Sequence, residues 1–140
     1  MPARVKARAV IWVGDQVVVH LTKRRGHTHV TFPGGRVNDR ESVSDALVRE
    51  VFEEVGLEIE VGDLLLAAEI LSGARRQDVE LVFEATTAGP VDGPDVHLVD
   101  PQQPDLEVLP PILGVLAELR RDGSRPRWLG NLYRARSEYP

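Results

Sequence analysis

Three glutamates, Glu50, Glu53 and Glu54, stand three and four residues apart within the stretch GRVNDRESVSDALVREVFEEVGL, Gly35 to Leu57. On an α-helix such residues are neighbours on one face. Their carboxylates repel one another there, so fold stability alone does not favour the grouping. Hard divalent cations do favour it, because Mg²⁺ is held by a few carboxylates together with substrate phosphate oxygens and water. The spacing points to a metal-binding helix, set against the plainer alternative of a solvated acidic face.

Positioning such a group requires a helix with a fixed orientation. Val43, Ala46, Leu47, Val51, Phe52 and Val55 recur at helical spacing and predict a buried stripe on the opposite side. Ser42 is a candidate N-cap, Asp45 a weaker capping-box partner, and Gly56 a candidate C-cap. Arg49 lies beside Glu50 and one turn before Glu53, where it can orient a carboxylate and offset part of the repulsion. Upstream, Phe32-Pro33-Gly34-Gly35 predicts a loop whose backbone can approach a ligand closely.

The same stretch resembles the Nudix box of the Nudix (MutT-like) hydrolases, G-x5-E-x7-R-E-U-x-E-E-x-G-U with U a bulky aliphatic residue. Gly35, Glu41, Arg49, Glu50, Val51, Glu53, Glu54, Gly56 and Leu57 fill its fixed positions. Asn38 and Arg40 depart from the common choices at variable positions. The resemblance implies an α/β fold, a Nudix-type α/β/α sandwich with a mixed β-sheet. It also implies Mg²⁺- or Mn²⁺-dependent hydrolysis of a nucleoside diphosphate linked to another moiety. Glu50, Glu53 and Glu54 would then be metal ligands, with a backbone carbonyl near Gly35 as a further one. Arg49 and Glu41 would form the supporting ion pair. The proton of the attacking water would go to Glu53 or Glu54, or to an acid outside the box such as Asp78, Glu80 or Glu84.

The 140 residues predict a single domain spanning the chain, with a core that needs no staples. There are no cysteines, so disulfides and thiolate metal sites are excluded. A net charge of -5 argues against general nucleic-acid binding. With neither a visible signal peptide nor an apolar run of membrane-spanning length, a cytoplasmic location is expected.

Arg4 to Val13 and Gln16 to Thr22 are β-rich runs around Gly14-Asp15, which predicts a hairpin. Lys23 to His29 reads as a basic loop leading into the box, with Arg24 and Arg25 as candidate phosphate contacts and His27 and His29 as surface groups. Glu58 to Val61 predicts a short strand, Gly62-Asp63 a turn, and Leu64 to Leu71 a buried strand. Arg75 and Arg76 fall in a predicted hairpin loop and are further candidate substrate contacts. From Asp78 to Thr87, Val79, Leu81, Phe83 and Ala85 alternate with Glu80 and Glu84, which predicts a solvent face for the two acids, Glu84 also being a candidate substrate contact. Val96 to Val99 predicts a further strand, and Leu106 to Arg121 a second helix with Pro110 and Pro111 in its first turn. The tail carries Trp128, Leu129, Leu132 and Tyr133 among Arg125, Arg127 and Arg134.

Subfamily markers thin the substrate question. Leu21-Thr22-Lys23-Arg24 only partly matches the coenzyme A pattern, and the additional motifs of NADH, ADP-ribose and dinucleoside polyphosphate enzymes are missing. Elimination leaves a small-molecule nucleotide substrate, a nucleoside triphosphate or a nucleotide sugar. The alternatives are a non-catalytic Nudix-fold module that binds a nucleotide, and a purely structural acidic helix. Members of the family are commonly homodimers, for which the apolar tail or the first hairpin offers a two-fold contact.

Overall fold

The computed structural model describes residues 2–123 and 126–133. Its strands are β1 (Arg4–Val10), β2 (Trp12–Val13), β3 (Gln16–Arg24), β4 (His27–Thr31), β5 (Gly34–Arg36), β6 (Glu60–Ser72), β7 (Arg76–Thr86), β8 (His97–Val99) and β9 (Arg127–Asn131). Two helices join them, α1 (Val43–Val55) and α2 (Leu113–Asp122). The main sheet has the order β5-β1-β7-β6-β9 and is mixed: β1 runs antiparallel to β5 and parallel to β7, while β6 runs antiparallel to β7 and parallel to β9. A second sheet is built on β3, which pairs with β2, β4 and β8. This is the α/β/α sandwich with a mixed sheet that the resemblance implies.

Alternation along β1 and β7 builds two cores. Ala7, Ala9, Ile11 and Ala85 point to one face, where Leu47, Val51 and Val55 of α1 cover them. Val10 and Val82 point to the other, where they meet Val17, Val19 and Val30 of the second sheet and Leu116 and Leu119 of α2. Ser42 Oγ accepts from Asp45 N–H at 3.0 Å, and Gly56, at φ 73°, donates its N–H to the Phe52 carbonyl at 3.0 Å. Both caps of α1 are therefore as predicted.

Several expected boundaries move. The first β-rich run breaks at Ile11, so the hairpin is β2–β3, and β1 belongs to the other sheet. The basic loop is mostly strand: β3 and β4 pair through Arg24 and His27, leaving Arg25 (φ 51°) and Gly26 as the turn. Gly62-Asp63 does not end a strand; β6 runs through it with register shifts between Val61 and Leu66. The second helix begins at Leu113, because the Leu109 backbone is engaged in sheet-like bonds with Val30 and Phe32. Phe52 is 55% exposed, since it lies outside the arc that faces the sheet. Arg125 and Arg134 lie outside the described residues.

Candidate active site

The box helix and the short edge strand β5 bring the predicted residues together. Arg49 is the hub. Its Nε and Nη2 each donate at 2.9 Å to the two oxygens of Glu41, its Nη1 donates to Glu50 at 3.0 Å and to Glu53 at 3.4 Å, and Nη2 also donates to the Arg36 carbonyl at 3.3 Å. The fork geometry of a guanidinium makes this bridging possible. Hydrogen bonds from Arg49, then from the Asn38 backbone, hold the Glu41 carboxyl down at about 2. Glu41 thus stays an anion, and Arg49 stays fixed beside two of the three box carboxylates.

Glu54 has a different setting. Its Oε2 accepts from Gly34 N–H at 3.4 Å. Burial, reinforced by the nearby Glu50, pushes its carboxyl up to about 7, against the Gly34 hydrogen bond and the charge of Arg8. Glu50 lies flat against Gly35, where a Cβ would fall 2.7 Å from its carboxyl carbon. Gly35 is therefore a cradle that only a residue without a side chain can form. Among the described residues no three acidic or histidine side chains enclose a common point tightly enough to hold an ion as they stand. Glu50 and Glu54 adjoin, while Glu53 turns outward onto Arg49. The donor set still fits a divalent cation: hard carboxylate oxygens, a backbone cradle, and a half-buried acid whose charge the protein's own groups undercompensate.

The remaining sequence candidates are scattered. Arg25 and Arg75 are exposed turn residues, and the side chain of Arg24 lies outside the described residues. His27 and His29 are exposed, as expected. Glu84 is half-buried and lines a separate cavity of about 200 Å³ with Trp12, Leu65 and Arg120. Arg76 sits at the head of β7, its Nε 2.8 Å from Asp78.

The structure corrects the reading of β7. Glu80 does not face solvent: it is 1% exposed, and Asp78 is fully buried. Arg8 donates to Glu80 at 3.1 Å and to the carbonyls of Phe32 and Gly34 at 3.2 and 3.4 Å. Asp78 is ringed by Arg4, Lys6 and Arg76 at 2.9, 3.4 and 2.8 Å. Burial would raise the Asp78 carboxyl, but the Arg76 hydrogen bond, the Lys6 charge and the Arg4 hydrogen bond together hold it below its usual range. Both acids are thus engaged by the cations of β1 and β7. The signal for this network was in the sequence, since Arg4, Lys6 and Arg8, and likewise Arg76, Asp78 and Glu80, alternate along strands and must share a face.

Residues 2–111 match the NUDIX domain family model, and the chain belongs to that family. Over 35 residues, 25% of this chain, it is 54% identical to an RNA pyrophosphohydrolase from Pasteurella multocida (strain Pm70), a match spanning 18% of that protein's length. Its fold is similar to that of a UDP-X diphosphatase, with a TM-score of 0.72 and 18% identity over 91% of this chain and 67% of that one. A MutT NUDIX hydrolase from Burkholderia pseudomallei has a TM-score of 0.68 and 22% identity over 84% and 98% of the two chains. An ADP-ribose pyrophosphatase from Streptococcus suis 89-1591 has a TM-score of 0.66 and 18% identity over 89% and 97%. At these identities the structural likeness is one of fold.

Proposed function

We propose that this protein is a divalent-metal-dependent pyrophosphohydrolase that cleaves a nucleoside diphosphate linked to another moiety, using Mg²⁺ or Mn²⁺. The observation that carries the reading is the Gly35 cradle with Glu50 against it and Glu54 bonded to the neighbouring Gly34 N–H, braced by the Arg49–Glu41 pair. Glu50, Glu53, Glu54 and the Gly35 backbone would hold the metal. Divalent ions bound there would supply neutralisation of the diphosphate and acidification of the attacking water.

The chain's own residues do the rest. Arg49 fixes the rotamers of Glu50 and Glu53, and Glu41 fixes Arg49 from the far side. Gly34 N–H orients Glu54 at Oε2. Glu54 is the better placed acceptor for the water's proton, because Glu53 is engaged with Arg49 and largely exposed. A catalytically silent module would have no use for this complete set of braced carboxylates. The homodimer common in the family has its candidate contact at the edge strand β9, where Trp128 is 60% exposed. No helix among the described residues is long and apolar enough to cross a membrane.

The test is Mg²⁺-dependent release of phosphate or nucleoside monophosphate across a nucleotide panel. Glu53→Gln and Glu54→Gln should each lower kcat by at least about 100-fold, because each removes a ligand charge, while the melting temperature holds. Wild-type-like turnover in both variants would refute the assignment.

A further inference from the structure

Between the two sheets, beyond the apolar core, lies a cavity of about 520 Å³. Its size is that of a small-molecule site. Part of its lining is apolar, with Ile70, Leu109, Pro110 and Tyr133. Another part is the charged face of β1 and β7, with Lys6, Arg8, Arg76 and Glu80. The cavity adjoins the box through a single residue, for Arg8 bonds the Gly34 carbonyl and the Gly34 N–H bonds Glu54.

The charges on this wall do not balance. Among the described residues, Arg4, Lys6, Arg8 and Arg76 face two carboxylates, Asp78 and Glu80, leaving an excess of two positive charges. Among the described residues Glu80 is ion-paired with Arg8, and Lys6 also feels its charge. Asp78 is matched by either arginine, so Lys6, at 3.4 Å, adds nothing that its neutrality requires. Lys6 is also the group least at ease: burial, and then the charge of Arg8, lower its pKa despite Asp78 and Glu80. Desolvated surplus cations are a cost to folding, and a bound anion would offset it.

We propose that Lys6 and Arg76 form an anion-binding station that selects nucleotides with a charged phosphoryl group beyond the scissile diphosphate. Nucleoside triphosphates are then preferred to nucleotide sugars, with the nucleoside against the apolar wall and the extra charge at β1. This deepens the pyrophosphohydrolase reading and, for its kinetic consequence, rests on it.

Two measurements on the full chain test the proposal, using Lys6→Met and Arg76→Gln. Neither substitution touches the box, and Asp78 keeps Arg4 in both. The first is calorimetric binding of inorganic pyrophosphate in EDTA, where each variant should bind about ten-fold more weakly than wild type, the loss of one charge-assisted contact, and Lys6→Arg should restore binding. Wild-type protein that binds no pyrophosphate, or variants that bind it undiminished, would overturn the station. The second is steady-state kinetics on a nucleoside triphosphate and on a nucleotide sugar with the same base. The KM for the triphosphate should rise about ten-fold with kcat little changed, and the KM for the sugar should stay within about two-fold. Equal shifts on both substrates would also overturn it. Turnover of neither substrate by wild type would fail the hydrolase reading, while pyrophosphate binding would still decide the station. Melting curves in EDTA identify a variant that has unfolded, and Lys6→Met decides the matter if Arg76→Gln proves unstable.

Discussion

Gly35→Ala separates the site from the fold. Gly35 has an ordinary φ, so alanine there brings no backbone strain. Its Cβ, however, would lie 2.7 Å from Cδ and Oε2 of Glu50 and 3.0 Å from Oε1, where ordinary contact begins at 3.4 Å. The carboxylate must retreat by 3.4 − 2.7, or 0.7 Å. Glu50 is the end of a flexible chain, so the retreat is cheap, and the loss of stability should stay within about 1 kcal/mol. For a metal ligand the same shift is large, because coordination distances hold to about 0.2 Å and Mg²⁺ demands near-ideal geometry. We expect Mn²⁺ affinity to fall about 10- to 100-fold, or about 1.4 to 2.8 kcal/mol, with kcat falling alongside.

Gly34→Ala is the internal control. Its Cβ would run into the Ala7 carbonyl of β1, and its φ of 141° is strained for any side chain. Backbone cannot yield as a carboxylate can, so this variant should lose several times more stability than its neighbour. Mn²⁺ titration followed by electron paramagnetic resonance, with melts in EDTA, distinguishes the two. If Gly35→Ala binds Mn²⁺ as wild type does, or unfolds as readily as Gly34→Ala, the cradle does not set the site.

Two further outcomes follow from the buried charges. Glu80→Leu leaves Arg8 with only the Phe32 and Gly34 carbonyls and should cost about 3 kcal/mol in urea denaturation, most of it recovered by adding Arg8→Met; an additive double variant would contradict this. In EDTA the folded protein retains the Glu54 proton from the ordinary carboxyl value of 4.5 up to about 7, whereas the unfolded chain has released it. Stability should therefore decline as pH rises through that window, by on the order of 1–2 kcal/mol after discounting for partial exposure. Glu54→Gln should flatten the profile, and a profile unchanged in that variant would place the titration elsewhere.

The box was legible because its chemistry is local. The Ser42 cap, the Gly56 cap and the Arg49–Glu41 pair all close within eight residues, so spacing alone specifies them. The charged wall was not legible in the same way. Arg8 meets Glu80 across 72 residues, and Arg4 meets Asp78 across 74. Alternation told that Glu80 shares a face with Asp78 and opposes Phe83, but period two says nothing about what covers a face. The covering layer is the second sheet, whose β4 was hidden because His27 to Thr31 is polar and reads as loop. Propensity likewise placed Pro110 and Pro111 inside a helix start, whereas the pairing of Leu109 with Val30 and Phe32 claims that segment as extended chain.

The edge position of β5 explains why the two charged regions meet where they do. As the terminal strand of the main sheet, it pairs with β1 on one side only. Unpaired edge groups must be satisfied or they invite other strands. Here the helix supplies the partners: Arg49 takes the Arg36 carbonyl, and Glu54 takes the Gly34 N–H. The same residue, Gly34, turns its carbonyl to Arg8, on the cavity side. One residue is thus hydrogen-bonded to a box carboxylate through its N–H and to the cationic wall through its carbonyl, by way of two successive peptide groups. An anion drawing Arg8 away from that carbonyl would loosen the brace behind Glu54, whereas one held by Lys6 and Arg76 would leave it intact.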